Sequence, residues 1–335
     1  MKVLKILLKT IGLLLLLLII IYFLGPKPNY PTFDASIPSL EIPLEQLDQF
    51  VAAKDANLPN LKPNNNGRII WADSLRKTNY CLLYLHGFSA SPMEGDPTHE
   101  KFAKRYGANL YVPRLAEHGI KDKDIFMNLT PKDLVDSAKE AIAVARLLGD
   151  TIILMSCSTG STLGNYLAAE NPDAFYGHIM YSPNFDLQDA RTGLLTKPWG
   201  LQIARQLVGD RRRLDRLIGT EGAQYTTCEY RVEGLLCLKS LLQTTMTPAT
   251  FEKVTTPYLL LYYYKDETTH DNIISIDAIK KFHQTSSTPA NAKQLIALPN
   301  VDTHVIPSDL YSKDLAAVDS LSYHFAEEVL GLKPM

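Results

Sequence analysis

Within the stretch ILMSCSTGSTLG, residues 153–164, Ser158 stands where an apolar run gives way to small residues and helical spacing. A serine hydroxyl attacks an acyl carbon only when a base removes its proton and an acid orients that base. It also needs backbone N–H groups aimed at the oxygen that becomes negative. Small residues cluster in many loops, so the pattern small-x-Ser-x-Gly over 156–160 also fits an ordinary turn serine. Eight histidines are available as bases; His118 in RLAEHGI and His304 in LPNVDTHVI fall in loops. Downstream, KDETTHDNIISI offers Asp266, Glu267 and Asp271 as acids, and Asp302 stands two residues before His304.

These groups need a frame. From Gly67 onward, apolar runs of strand length occur at RIIWA, YCLLYLH (80–86), NLYVP (109–113), TIILMSC (151–157), GHIMYS (177–182), YLLLYYY (258–264) and KQLIAL (293–298). Several are continuously apolar, as strands buried on both faces should be. Helical spacing fills 93–106, 131–148, 158–169, 276–284 and 310–330. In PKDLVDSAKEAIAVARLLG apolar positions recur at three- and four-residue steps, and Gly149 is expected to close that helix at its C′ position. Strand–helix alternation predicts an α/β fold, a mostly parallel central sheet with helices on both faces. Residues 67–183 and 249–335 would form this core. Between them, 184–248 reads as helices only, a helical cap inserted after strand 6. Ligands of open α/β sheets bind at the carboxyl ends of the strands, so a cap there is a lid. Ser158 falls between a strand and a helix, on the turn where an elbow nucleophile is presented, and the helix N-terminus adds a field that favours negative charge.

Residues 1–25 form a separate unit. Three lysines in MKVLKILLKT precede IGLLLLLLIIIYFLG, an uncharged run of 15 residues. A bilayer span takes about 20; Leu7 and Leu8, with Lys5 and Lys9 snorkelling, bring the run close. The lysines place the N-terminus in the cytoplasm and the rest across the membrane. We expect an uncleaved signal anchor rather than a cleaved signal peptide. The catalytic part would then lie outside the cytoplasm, in a bacterial envelope or periplasm, or would be secreted if the anchor were cleaved. Residues 26–66, rich in Pro and Asn around LEQLDQFVAAKD, read as a stalk packed loosely on the domain. A net charge of −2 argues against nucleic acid as the main partner. Cys81, Cys157, Cys228 and Cys237 show no metal-like CxxC spacing; Cys228 and Cys237 read as two free thiols rather than a pair. DRRRLDR (210–216) reads as a charged helix face with internal Asp–Arg pairs.

Taken in order, LHGFSASP, SCSTGSTLG and VDTHVI resemble the α/β-hydrolase superfamily, and within it the lid-bearing carboxylesterase and monoacylglycerol-lipase branch. The similarity runs from Gly67 to the C-terminus. It departs at Ser156, where most members have glycine. The resemblance implies Ser158 as nucleophile and His304 as general base. Of the other histidines, His86 precedes the turn that builds half of the family's oxyanion hole, and His118 matches a structural turn near the pocket rim. His99 and His283 read as surface helix residues, His178 as a strand residue and His324 as part of the last helix. In the family the acid precedes an apolar step into the next helix, which DNII matches; Asp271 is therefore the implied acid, Asp266 the runner-up and Asp302 a loop residue. The backbone N–H groups of Phe88 and Thr159 are the implied oxyanion hole.

The function implied is hydrolysis of carboxylic esters, with small or medium acyl groups or monoacylglycerol-like lipids, through a Ser-His-Asp triad and an acyl-enzyme, with no cofactor or metal. An amidase or aminopeptidase of the same fold is an alternative; it would need cap carboxylates such as Glu221, Glu229 or Glu233 to receive the substrate amine. A non-catalytic ligand-binding homologue is another, although such proteins usually lack the serine or the histidine, and both are present.

Overall fold

The continuously apolar runs become neighbouring strands of one sheet. In the computed structural model, which describes residues 2–29 and 32–335, helices α1 (Lys2–Phe23) and α2 (Leu44–Ala56) come first. They are followed by β1 (Arg68–Ile70), β2 (Thr78–Leu85), α3 (Thr98–Tyr106), β3 (Asn109–Val112), α4 (Pro131–Leu148), β4 (Gly149–Cys157), α5 (Thr159–Glu170) and β5 (Gly177–Tyr181). An excursion from the sheet carries α6 (Gly200–Val208), β6 (Arg211–Arg213), β7 (Glu229–Arg231), α7 (Val232–Thr245) and α8 (Pro248–Lys253). The chain returns through β8 (Tyr258–Asp266), β9 (Thr269–His270), α9 (Ile276–Thr285), β10 (Lys293–Leu298) and α10 (Leu315–Glu328).

The strand order is β1-β3-β2-β4-β5-β8-β10, with β9 added to β8. The pairs within β3-β2-β4-β5-β8-β10 are parallel, and β1 and β9 are antiparallel to their neighbours. Alternate residues of the central strands enter opposite cores, which is why both faces read as apolar. Leu83, Leu85 and Leu154 join Ile142 of α4 and Leu163 of α5 in one cluster. Leu82, Tyr84, Ile153 and Met155 join Phe102 of α3 and Phe325 of α10 in the other.

Local chemistry sets the element ends. The Thr130 side chain accepts from Asp133 N–H, the Asp133 carboxylate accepts from Thr130 N–H, and Pro131 takes the first helical position of α4; such a capping box stabilises a helix by about 1 kcal/mol. Gly149 ends α4 in an extended conformation, not the left-handed one expected, and opens β4 directly. A side chain there would lie 2.3 Å from the Cys81 backbone nitrogen, so close approach to β2 requires the glycine.

Several expectations need correction. The excursion follows the fifth strand of the sheet in chain order, not the sixth, because β1 alone precedes β2. It is not purely helical: Gly209, at φ +81°, ends α6, and Arg211–Arg213 pairs antiparallel with Glu229–Arg231. DRRRLDR is therefore half of a ribbon. A cross-strand ion pair, Arg211 Nε to Glu229 Oε1 at 2.8 Å, supports it, and Arg213 pairs with Asp215 at 3.3 Å. The helix expected over 93–106 starts at Thr98, after a tight turn at Pro92–Gly95 and the break at Pro97. Likewise, 310–314 is turn, and Asp314 caps α10 by accepting from Ala317 N–H.

The stalk expected to pack loosely is instead joined to the core. Leu47 and Val51 of α2 are buried, with Ile37, Leu40 and Ile42 packed against the same cluster. Asp55 pairs with Arg114 at 2.9 Å and accepts from Gly67 N–H at 2.8 Å, which locks the entry to β1. The amphipathic spacing of LEQLDQFVAAKD accounts for this docking. None of α1 is buried, and by length and composition it could cross a membrane; a signal sequence passes the same test. The four cysteines are free thiols.

Candidate active site

Ser158 sits between the last residue of β4 and the first of α5, at φ +51° and ψ −117°. A non-glycine residue held in such a conformation costs of order 1–3 kcal/mol and persists only where its surroundings over-determine it. Here they do. Ser158 N–H donates to Tyr181 O at 3.0 Å, and Ser158 O accepts from Ser161, Thr162 and Asn184 N–H at 3.0–3.4 Å. Gly160 lets the first turn of α5 press on β2, since a Cβ there would fall 1.9 Å from Leu85 O. The serine at 156 fits because its hydroxyl bonds His178 Nε2 at 2.7 Å and Ser161 Oγ at 2.8 Å, a buried polar link between β4, β5 and α5.

The loop after β10 brings His304 to Asp271, which follows β9. Nδ1 of His304 lies 2.6 Å from Asp271 Oδ2; the Asp271 side chain is buried and that of His304 is 9% exposed. Asp271 is held at both ends: its N–H donates to Tyr263 O at 3.1 Å, and its Oδ1 accepts from Ile273 N–H at 2.9 Å. Burial pushes the Asp271 carboxyl upward, but the charge and hydrogen bond of His304 and the amides of Ile273 and Ile274 outweigh it, so the carboxyl lies below the usual range. Burial likewise pushes His304 downward, and attraction to Asp271 reverses this, so the imidazole lies above its ordinary value. The other acids are occupied elsewhere. Asp266 is exposed and accepts from Thr268, while Asp302 pairs with Tyr263 and Lys313.

The N–H groups of Phe88 and Thr159 make no hydrogen bond to another described residue, and neither does the Ser158 hydroxyl. The turn that carries Phe88 is braced by His86. Its Nε2 accepts from Leu115 N–H at 3.1 Å, which leaves Nδ1 to donate to Gly87 O at 2.9 Å. Burial drives His86 down to about 4, so it stays neutral in this role. The Phe88 ring packs against Phe126 and His118, with Tyr230 of β7 at 5.6 Å, joining the turn to the excursion. His118 is buried and donates to Ala116 O, a structural position. His99 is not on the surface as expected; it is fully buried, edge-on to Tyr84. His283 is half-buried against Tyr258, and His324 is exposed.

Two of the three cap carboxylates that an amine-binding site could use are paired. Glu229 bonds Arg211, and Glu233 bonds Arg205 and Arg231; Glu221 is exposed. One group escaped the sequence reading. Glu94 is buried beside the Phe88 turn, where its Oε2 accepts from Gly87 N–H at 2.7 Å. It lies seven residues after Gly87, within the helix expected over 93–106, and nothing in the local pattern marks it.

No protein-family model matches the chain. In sequence, 92 residues are 35% identical to the thermostable monoacylglycerol lipase of Bacillus sp. (strain H-257), covering 28% of this chain. The match spans 36% of that curated relative, about a third of its length. In structure, the fold is similar to one solved for the metagenome-derived lipolytic enzymes LipS and LipT, with 17% identity, 79% of this chain and 98% of that one, and a TM-score of 0.64. The Paleococcus ferrophilus monoacylglycerol lipase aligns at 11% identity over 80% and 98% of the two chains, with a TM-score of 0.56. Est1E from Butyrivibrio proteoclasticus, solved with ferulic acid bound, aligns at 15% over 79% and 95%, with a TM-score of 0.53. At these identities the structural likeness establishes the fold.

Proposed function

We propose that this chain, whose core has the α/β-hydrolase fold, hydrolyses carboxylic esters through Ser158, His304 and Asp271. The observation that carries this reading is the His304–Asp271 bond at 2.6 Å, with His304 following β10 as Ser158 follows β4, past the carboxyl ends of strands of one parallel set. His304 Nε2 takes the Ser158 proton as Oγ attacks the acyl carbon, and the N–H groups of Phe88 and Thr159 receive the oxyanion. The C–O bond to the alcohol breaks, and the alcohol leaves with the proton from His304. Water then attacks the acyl-enzyme by the same route and releases the acid. The short sequence match to a monoacylglycerol lipase supports small or medium acyl esters and monoacylglycerol-like lipids as the substrate class. Pairing of Glu229 and Glu233 with arginines weighs against the amine-binding alternative.

The test is hydrolysis by the full-length protein of p-nitrophenyl esters of increasing acyl length, beside a matched anilide series and a fluorophosphonate label. Ester turnover with labelling at Ser158 is expected. Preferential cleavage of the anilides, or no labelling, would discard the reading.

Residues 184–248 would act as the lid and residues 2–23 as a membrane anchor. Trp199, just before α6, donates its indole N–H to Ile21 O at 2.9 Å and its backbone N–H to Pro26 O at 2.8 Å. Ile203, Leu207 and Val208 of α6 are exposed, and an apolar cleft lined by Leu18, Ile21 and Tyr22 separates α1 from Ile203 and Leu207. The lid would thus meet the bilayer at the outer end of the anchor, with the catalytic core outside the cytoplasm. Trp71→Phe leaves Trp199 as the sole tryptophan. In vesicles its fluorescence should be quenched by lipids brominated near the headgroup; emission indifferent to bromine would count against this placement.

A further inference from the structure

Glu94 lies beside the nucleophile, and the hydrolytic sequence above makes no use of it. It sits on the tight turn Pro92–Gly95, is only 6% exposed, and its Oε2 accepts from Gly87 N–H at 2.7 Å and from the Tyr84 hydroxyl at 3.2 Å. Gly87 is squeezed between this carboxylate and the serine. A Cβ on Gly87 would lie 2.9 Å from Glu94 Oε1 and 3.1 Å from Ser158 Cβ. The carboxylate, the Gly87–Phe88 peptide and the nucleophile therefore form one packed unit.

Two consequences follow from elementary chemistry. Because Glu94 takes the Gly87 N–H, it fixes the orientation of the turn that presents the next amide, Phe88 N–H. The carboxylate also lies across Gly87 from Ser158, so a negative charge there favours the imidazolium that forms when Ser158 gives its proton to His304. The groups that act on Glu94 are His304, Tyr84, Cys157 and Tyr311; those that act on His304 are Asp271, Glu94 and Arg216. Of these, Glu94 and Asp271 favour the charged imidazole and Arg216 opposes it.

We propose that Glu94 is a positioning residue, resting on the ester-hydrolase reading above: it clamps the Gly87–Phe88 turn and serves, besides Asp271, as a second carboxylate supporting the His304 imidazolium. Burial holds Glu94 up at about 7, so its ionised form is reached near neutrality, where the base works.

Three variants of the full-length protein separate the two roles. Glu94→Gln keeps an oxygen for Gly87 N–H and removes the charge. Losing the charge lowers the His304 pKa, so the acidic limb of kcat/KM should move to lower pH by roughly one unit, as for loss of a nearby opposite charge. Its kcat should fall about tenfold with KM little changed, the pattern of an interaction made in the transition state. Glu94→Asp keeps the charge and withdraws the acceptor, so kcat should fall with the limb in place. Glu94→Ala should show both losses. A purely structural glutamate would lower Tm and leave the limb unmoved in all three.

Titration of His304 by NMR in histidine-labelled protein, assigned with His304→Ala, measures the same shift without turnover. If no ester is cleaved, the hydrolase reading fails, yet a lower His304 midpoint in Glu94→Gln still upholds the charge coupling. An unchanged midpoint in Glu94→Gln overturns the second-carboxylate role. An unchanged kcat in Glu94→Asp overturns the clamp.

Discussion

Ser158→Ala is expected to lower kcat toward a p-nitrophenyl ester by a factor of about 10,000 to 1,000,000, with KM changed only a few-fold. The substitution removes the oxygen that forms the acyl-enzyme and little else. No described residue is hydrogen-bonded to the Ser158 hydroxyl, so the fold loses no partner when it goes. The four backbone bonds of the elbow stay, and alanine keeps the same Cβ at φ +51°. Tm should therefore remain close to that of the wild type, which separates lost chemistry from lost structure. His304→Ala should cost a similar factor, and the double variant little more than either alone, because the two groups act as a unit. The residual rate would come from binding and from the amides of Phe88 and Thr159. Retention of more than about a hundredth of the activity in Ser158→Ala would mean that another nucleophile does the work.

The sequence displayed those parts of this arrangement that depend on local pattern. Strands such as β4 and β8 were visible as continuous apolar runs because both their faces are covered, and α4 because its apolar positions recur at three- and four-residue steps. The elbow was visible because a strand, a helix and small residues meet at Ser158. What escaped depends on contacts between distant residues. Glu94 falls in the sequence within an expected helix, and only the fold brings Gly87 N–H and Tyr84 against it. His99 has the helical placement of a surface residue, but Tyr84 covers it. The ribbon at Arg211–Arg213 has no apolar alternation to reveal it, since ion pairs such as Arg211–Glu229 hold its strands. The docking of α2 could be suspected from its spacing, but the Asp55–Arg114 pair joins residues far apart in the chain. Sequence alone likewise left Asp266 and Asp271 as rivals. The fold separates them by placing only Asp271 against His304 and turning Asp266 toward solvent.

That separation makes Asp271→Asn the sharpest test of the acid. An asparagine at this position can present its N–H₂ to His304 Nδ1, and the proton then moves to Nε2, the nitrogen that must accept from Ser158. Loss of the correct tautomer with the geometry intact typically lowers kcat by about 10,000-fold, and that is the expected result here. Asp266→Asn and Asp302→Asn, whose carboxylates bond Thr268 and Tyr263 with Lys313 rather than Ser158 or His304, should stay within about twofold, in the range of substitutions away from the reacting groups. The pH dependence gives an independent check. The base must be neutral, and His304 is held above its ordinary value of 6.5, so the acidic limb of wild-type kcat/KM should lie above that pH. Stability runs in the complementary sense for the acid. Asp271 is held below the ordinary carboxylate value of 3.8, so its ionised form stabilises the fold at and above neutral pH. That contribution disappears as pH falls through the lowered value, since the unfolded chain binds the proton first. Asp271→Asn should therefore narrow the stability difference between neutral and acid pH while abolishing turnover. Full activity in Asp271→Asn, with loss in Asp266→Asn, would transfer the role to the shorter loop and require His304 to approach the sheet from a different side.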